Sequence, residues 1–161
     1  MTPTYSALAV WQIRGVTVSQ VSDAVRLLAL RSTPLDITEV YDAVSDDAAG
    51  GVVLFVGRVR DSDRSRSVQT LDYTAHPRAE PTLRAVVDEV VEQWPVTAIA
   101  AVHRVGELSV GDIAVVVAVA CAHRGEAFAA CRQLIDELKS RVPIWKHQVF
   151  SDGDEEWVGT P

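Results

Sequence analysis

Lys139 and Lys146 flank Pro143 in the run Leu138-Lys139-Ser140-Arg141-Val142-Pro143-Ile144-Trp145-Lys146-His147-Gln148. A lysine yields its proton when it is desolvated or set beside a second cation, so two lysines in one pocket can work as acid and base. Proline has no N–H and disfavours the helical conformation in the residue before it, so a helix carrying Lys139 must end ahead of Pro143. Beyond the proline, an extended chain puts Ile144, Lys146 and Gln148 on one face and Trp145, His147 and Val149 on the other. Lys146 can then fold back towards Lys139. The same residues also suit a solvated helix end capped by lysine, since terminal carbonyls favour cations. On these residues alone neither reading wins.

Two further cationic groups fall at strand ends. His123-Arg124 follows an apolar run and opens a helical pattern, where unpaired backbone N–H groups add to a positive field for an anion. The competing reading is a strand-end arginine paired to a carboxylate. Arg58 and Arg60 alternate with Val59 and so share one face of a strand end; an isolated pair of this kind is commonly a solvated edge. Arginine holds phosphate or carboxylate in a bidentate fork, whereas lysine titrates more readily, so arginines would hold and lysines could react. The polar, arginine-rich run Asp61 to Ser67 reads as a mobile flap over a ligand.

Familiar catalytic motifs are missing, which narrows the choice. There is no P-loop, no G-x-G-x-x-G after a strand, no G-x-S-x-G and no H-E-x-x-H. His76, His103, His123 and His147 lack metal-ligand spacing, and Cys121 and Cys131 form no C-x-x-C, so the expectation is no metal, no disulfide and no resident cofactor. At 161 residues, 48% hydrophobic and 23% charged, the chain suits one well-buried domain. A formal net charge of -7 argues against nucleic acid or a membrane surface as the main partner, and the local cationic spots favour a small anionic ligand. The apolar runs are too short to span a bilayer and the N-terminus lacks a signal pattern, so a soluble, cytoplasmic protein is expected.

The positioning elements follow from periodicity. Residues 1–34 read as an appendage, a helix over Val18 to Leu30 or a disordered arm, and 35–161 as the main domain. Asp36-Ile37-Thr38-Glu39 has N-cap spacing for a short helix to about Val44. Val52 to Val56 reads as a buried strand, paired across the flap with a strand from Val68 to Thr74. Pro77 to Trp94 carries a helical stripe of Leu83, Val86, Val87, Val90, Val91 and Trp94. Thr97 to Val105 and Ile113 to Cys121 are strands, the latter buried on both faces. A helix over Glu126 to Lys139 turns Ala127, Phe128, Cys131, Leu134, Ile135 and Leu138 inward. Trp145 to Phe150 and Glu156 to Val158 are short strands about a Ser151-Asp152-Gly153-Asp154 turn. The order gives an α+β domain with three to four helices and a mixed, largely antiparallel sheet.

Four blocks together resemble the large, catalytic subunit of molybdopterin synthase. They are Phe55-Val56-Gly57-Arg58-Val59-Arg60; His103-Arg104-Val105-Gly106-Glu107-Leu108 with Gly111-Asp112; Ala122-His123-Arg124 with Ala127-Phe128; and Lys139 through Lys146. The resemblance runs from about residue 36 to the C-terminus, including the Asp-Gly-Asp-Glu-Glu-Trp-Val tail. It implies an α/β-hammerhead fold and a sulfurtransferase of molybdenum cofactor biosynthesis acting on cyclic pyranopterin monophosphate. The implied sulfur donor is the C-terminal Gly-Gly thiocarboxylate of a small ubiquitin-like partner. The implied assembly is a homodimer within a heterotetramer.

By position the resemblance makes Lys139 and Lys146 catalytic. Arg58, Val59, Arg60, His123, Arg124, Lys139, Lys146, His147 and Gln148 become substrate-contacting residues. Phe55 and Ile135 become pocket-lining, with core packing as their competing role. Departures are the N-terminal segment, His76 in place of an expected aromatic residue, and the His147-Gln148 ending. Gly50-Gly51 is no sulfur-carrier tail, because a thiocarboxylate needs a chain terminus. A scaffold that keeps the fold without turnover, or an enzyme for another phosphorylated metabolite, would share the same anion pocket.

Overall fold

Alternate residues of a strand point to opposite faces, and in the middle of this protein both faces are apolar. The computed structural model describes residues 22–159. Its elements are β1 Val25–Arg31, α1 Ile37–Ala43, β2 Gly51–Arg58, β3 Ser62–Asp63, β4 Arg66–Ala75, α2 Ala79–Gln93, β5 Val96–Arg104, β6 Gly106–Leu108, β7 Ile113–Cys121, α3 Arg124–Arg141, β8 Ile144–Phe150 and β9 Glu155–Val158. A four-stranded sheet runs β1-β5-β7-β2, antiparallel except for the β1–β5 pair. On one face Ile99, Ala101, Val115, Val117 and Val119 pack against Leu83, Val86, Val87 and Val90 of α2 and Leu134 and Leu138 of α3. On the other, the small side chains Ala98, Ala100, Ala118 and Ala120 share a cluster with Val40 of α1 and with Val44. The expected two-sided burial of β7 holds, and its residues from Ala114 to Cys121 are all buried.

A second sheet runs β3-β4-β8-β9, with β6 beside β4. The fold is therefore α+β with mixed pairing as expected, but the strands divide into two sheets. The chain crosses between them at Val59, which is buried with Leu71, Leu108 and Ala114. Val59 is fastened there by hydrogen bonds from its N–H to Asp112 O (2.9 Å) and from Gly111 N–H to its carbonyl (2.8 Å).

Several expectations are corrected. The helix expected over Val18 to Leu30 is, in its described part, the strand β1. Leu28 and Leu30 pack against one core cluster and Leu27 and Ala29 against the other, the two-residue period of a strand packed on both faces. Residues 1–21 lie outside the described residues, and a boundary at residue 34 leaves a sheet strand on the wrong side. β2 is an edge strand, with Val52 and Phe55 exposed, and it pairs with β7 rather than with β4. The loop Asp61 to Ser67 is a tight hairpin in which Arg64 (φ 48°) and Ser65 (φ 67°) take the left-handed turn conformation. Phe128, expected inside, is 63% exposed.

The short helix is capped as expected. The Asp36 carboxylate accepts from the Thr38 and Glu39 N–H groups, and Glu39 turns away to pair with Arg31. Gly50 is needed for close approach, since a Cβ there would sit 2.3 Å from the Ala122 carbonyl oxygen.

Candidate active site

The corner at Pro143 is built from the backbone outward. Helix α3 closes with the Val142 N–H donating to Leu138 O (3.1 Å), and the Ile144 N–H then donates to Val142 O (2.8 Å), reversing the chain. The Pro143 carbonyl accepts from the His76 N–H (3.0 Å). Arg141 braces the helix end against α2, donating to Glu89 Oε1 at 2.8 Å and to Glu137 at 3.2 Å. Those two carboxylates hold its guanidinium well above the usual arginine range. Lys139 is thereby held in the last turn of α3, and Lys146 comes back on β8 opposite Tyr73 of β4.

Two adjoining cavities result. One, about 220 Å3, is lined by Tyr73, His103, Leu138, Lys139, Val142, Ile144, Lys146, Val158 and Gly159. The other, about 120 Å3, takes in Arg58, Val59, Arg60 and Asp63 from the β2–β3 segment and Gln148 from β8. Lys139, Lys146 and Tyr73 line both, so the two lysines stand where the cavities meet. Burial pushes the Tyr73 phenol up, which keeps its O–H as a donor. A larger cavity of about 440 Å3 lies beyond Pro143, lined by His76, Arg78, Thr82 and Arg141. It holds neither lysine, and its Arg141 is already engaged by Glu89 and Glu137.

Asp63 is the residue sequence reasoning missed. Its carboxylate accepts from Gln148 Nε2 (2.8 Å), lies 3.5 Å from Lys146 Nζ, and is 3.5 Å from Arg60. It therefore ties together three of the expected substrate contacts from the tip of the β3–β4 hairpin. The Gln148 hydrogen bond first, then the charge of Lys146 and Arg60, outweigh desolvation and hold Asp63 below the ordinary carboxylate range. A carboxyl group with a depressed folded value contributes stability above its unfolded value and loses it as acid protonates the folded form. Asp63→Asn should therefore cost about 1 kcal/mol near neutrality, with the gap from wild type closing below about pH 4. Urea unfolding across that range checks this; a gap that persists in acid would show that charge at Asp63 is not the cause.

The remaining expected residues separate. Arg58 and Arg60 reach the smaller cavity, although Arg58 Nε also donates to Gly111 O (3.0 Å). Val59 lines that cavity from its buried position. His147 faces the opposite side of β8, stacked on Trp157 (4.5 Å between centroids) with Nε2 3.2 Å from Glu155, as strand alternation requires. Ile135 packs in the core and Phe55 sits on the exposed edge, and neither lines either lysine cavity. His123 and Arg124 are exposed at the far end of α3. Fifteen residues at about 1.5 Å each put Arg124 roughly 22 Å along the helix from Lys139, so one chain does not bring them together. His76, the unexpected histidine, accepts from the Arg78 N–H and sets its ring edge against Trp145.

Among the described residues no group of three or more His, Cys, Asp or Glu could hold a metal, and no helix is long and apolar enough to cross a membrane. What the site offers is fixed positive charge in the smaller cavity, a buried imidazole in the other, and a half-buried phenol with two amines where they meet. Such a set can hold an anion and move protons beside it.

Comparison with known proteins gives the same direction. The chain is 43% identical over 131 residues to molybdopterin synthase catalytic subunit 1 of Mycobacterium tuberculosis, covering 81% of this chain and 88% of the relative. The crystal structure of molybdopterin synthase from Staphylococcus aureus superposes with a TM-score of 0.76 at 35% identity, over 81% of this chain and 96% of that one. A structure from Helicobacter pylori, described as a complex of subunits 1 and 2 of molybdopterin-converting factor, shares the fold. Its TM-score is 0.64 at 20% identity, over 83% of this chain and 89% of that one. The family model described as MoaE protein matches residues 30–141, a span that takes in Arg58, Arg60, Asp63, Tyr73, His103 and Lys139, and the chain belongs to that family.

Proposed function

We propose that this protein is the catalytic subunit of a molybdopterin synthase, a cytoplasmic sulfurtransferase that converts cyclic pyranopterin monophosphate to molybdopterin. The observation that carries the reading is the placement of Lys139 and Lys146 where an arginine-lined cavity meets a second one, in a chain of the MoaE family. Arg60, with Arg58, Lys146 and Gln148, suits the cyclic phosphate. The sulfur donor is the C-terminal thiocarboxylate of a small ubiquitin-like partner, whose Gly-Gly tail enters the site. Its sulfur attacks a substrate carbon whose C–O bond breaks, the oxygen leaving on the opened phosphate ring or, protonated, as water, and the partner's acyl group stays on that sulfur as a thioester. Water then cleaves the acyl link, releasing the partner as a carboxylate and leaving the sulfur on the product. A second thiocarboxylate repeats the transfer to complete the dithiolene.

Each step develops negative charge on oxygen or needs a proton moved, which the lysines at the junction can supply. The proposed assembly is a homodimer of this chain with one small subunit on each copy. Within one chain His123 and Arg124 are too far from the lysines to share their substrate, so any contact they make is with the other copy's pocket. Reconstitution tests the reading: protein, thiocarboxylated partner and substrate should give molybdopterin, scored by oxidation to its fluorescent derivative.

A further inference from the structure

His103, the penultimate residue of β5, lines the 220 Å3 cavity that also holds Lys139 and has no role in the chemistry above. It is 7% exposed. Its Nδ1 lies 2.7 Å from the Arg104 carbonyl oxygen, and a carbonyl only accepts, so Nδ1 carries the proton and Nε2 the lone pair. Tyr73 meets the ring edge-on, 5.0 Å between centroids at 87°. Among the described residues Nε2 has no hydrogen-bond partner. It is not sealed in either, because the buried side-chain atom left unpartnered is Arg104 Nε, so Nε2 opens on the cavity. Lys139 lines the same cavity, and its charge reaches the ring. Burial first, and then Lys139, outweigh the hydrogen bond to Arg104 and pull the imidazole down to about 4, so it is uncharged at neutral pH.

We propose that His103 is a positioning residue for Lys139: its Nε2 lone pair, unpartnered among the described residues, takes a hydrogen bond from the Lys139 ammonium when that side chain turns into the cavity both line, and so aims that nitrogen at the junction shared with Lys146. Lys139 sits exposed at a helix end on a flexible four-carbon stem, and loose placement of a catalytic amine is costly. A carboxylate could hold it equally well but would cancel charge an anionic substrate needs. An imidazole adds an acceptor without adding charge. The consequence for turnover rests on the sulfur-transfer reading; the hydrogen bond itself does not.

Two substitutions separate the ring's two nitrogens. The amide of asparagine overlays the Nδ1 side and that of glutamine the Nε2 side. His103→Asn keeps a donor for the Arg104 carbonyl and loses the acceptor; His103→Gln restores the acceptor. His103→Asn should lower kcat about 30-fold with KM within about twofold, and His103→Gln should return to within about fivefold of wild type. Equal losses in both variants, or a loss confined to KM, would overturn the proposal. Nitrogen NMR of the histidine rings in wild type and Lys139→Met needs no His103 variant and no turnover. It should show the Nδ1–H tautomer, with the Nε2 resonance moving when Lys139 is replaced; the other tautomer or an unmoved resonance would overturn the proposal. Wild-type protein that folds but makes no product would refute the sulfur-transfer reading instead, and the NMR comparison would still decide the hydrogen bond.

Discussion

Lys139→Ala should lower turnover by about three orders of magnitude while substrate affinity changes by less than about tenfold. The side chain is exposed in the last turn of α3, outside the packed stripe of Leu134 and Leu138, so its loss leaves no cavity in the core. The helix end stays braced by Arg141 on Glu89 and Glu137. What disappears is the amine at the junction of the two cavities. Lys139→Arg should fail almost as badly, because a guanidinium keeps the charge but does not give up a proton near neutrality. Steady-state kinetics with a separate binding measurement distinguishes the cases. Near-normal turnover in either variant would remove Lys139 from the chemistry and leave it as a helix cap.

The second large effect concerns the far end of the same helix. Arg124→Ala should lower turnover about a hundredfold, the loss typical of one preorganised charge, although Arg124 is roughly 22 Å along α3 from Lys139 in its own chain. If Arg124 serves the other copy's site, a dimer of one Lys139→Ala chain and one Arg124→Ala chain contains one doubly defective site and one intact site. Equal mixing of the two inactive proteins, with exchange of subunits, should then restore about a quarter of wild-type turnover, since half of the dimers are mixed and half of their sites are whole. No recovery after verified exchange would place Arg124 outside the site altogether. The exposure of His123 and Arg124 and the absence of a capping hydrogen bond from His123 leave both side chains available for such a contact.

The sequence carried the corner about Pro143, the face shared by Lys146 and Gln148, and the two-sided burial of β7, because proline stereochemistry and the two-residue strand period are local rules. It did not carry the position of Asp63. That carboxylate lies in a polar run whose composition suggests a mobile flap, and its partners Gln148 and Lys146 come from β8, more than eighty residues on. His103 and Tyr73 were hidden for a similar reason. His103 sits in an apolar strand, where one polar residue looks like a satisfied core group, and Tyr73 in a largely polar one, where it does not stand out; only the packing of β4, β5 and α3 around one cavity gives them a common direction. β1 was misread because a short apolar run with leucines on both sides fits a helix stripe as well as a buried strand, and its parallel partner β5 is distant in sequence. The separation of the arginines was not legible because strand ends look alike in one dimension. β2 and β7 are antiparallel, with Gly51 opposite Cys121 and Arg58 opposite Ile113, so Arg58 and His123 lie at opposite ends of the pair.

The most direct measurement is product formation by the purified, folded protein, supplied with cyclic pyranopterin monophosphate and a small subunit carrying either a thiocarboxylate or an ordinary carboxylate terminus. The thiocarboxylate form should yield molybdopterin, with about two partner molecules converted to the carboxylate per product formed, as the two sulfurs of the dithiolene require. The carboxylate form should yield none. Absence of product with the thiocarboxylated partner, from protein shown to bind both partner and substrate, would contradict the assignment of catalysis to the lysine junction.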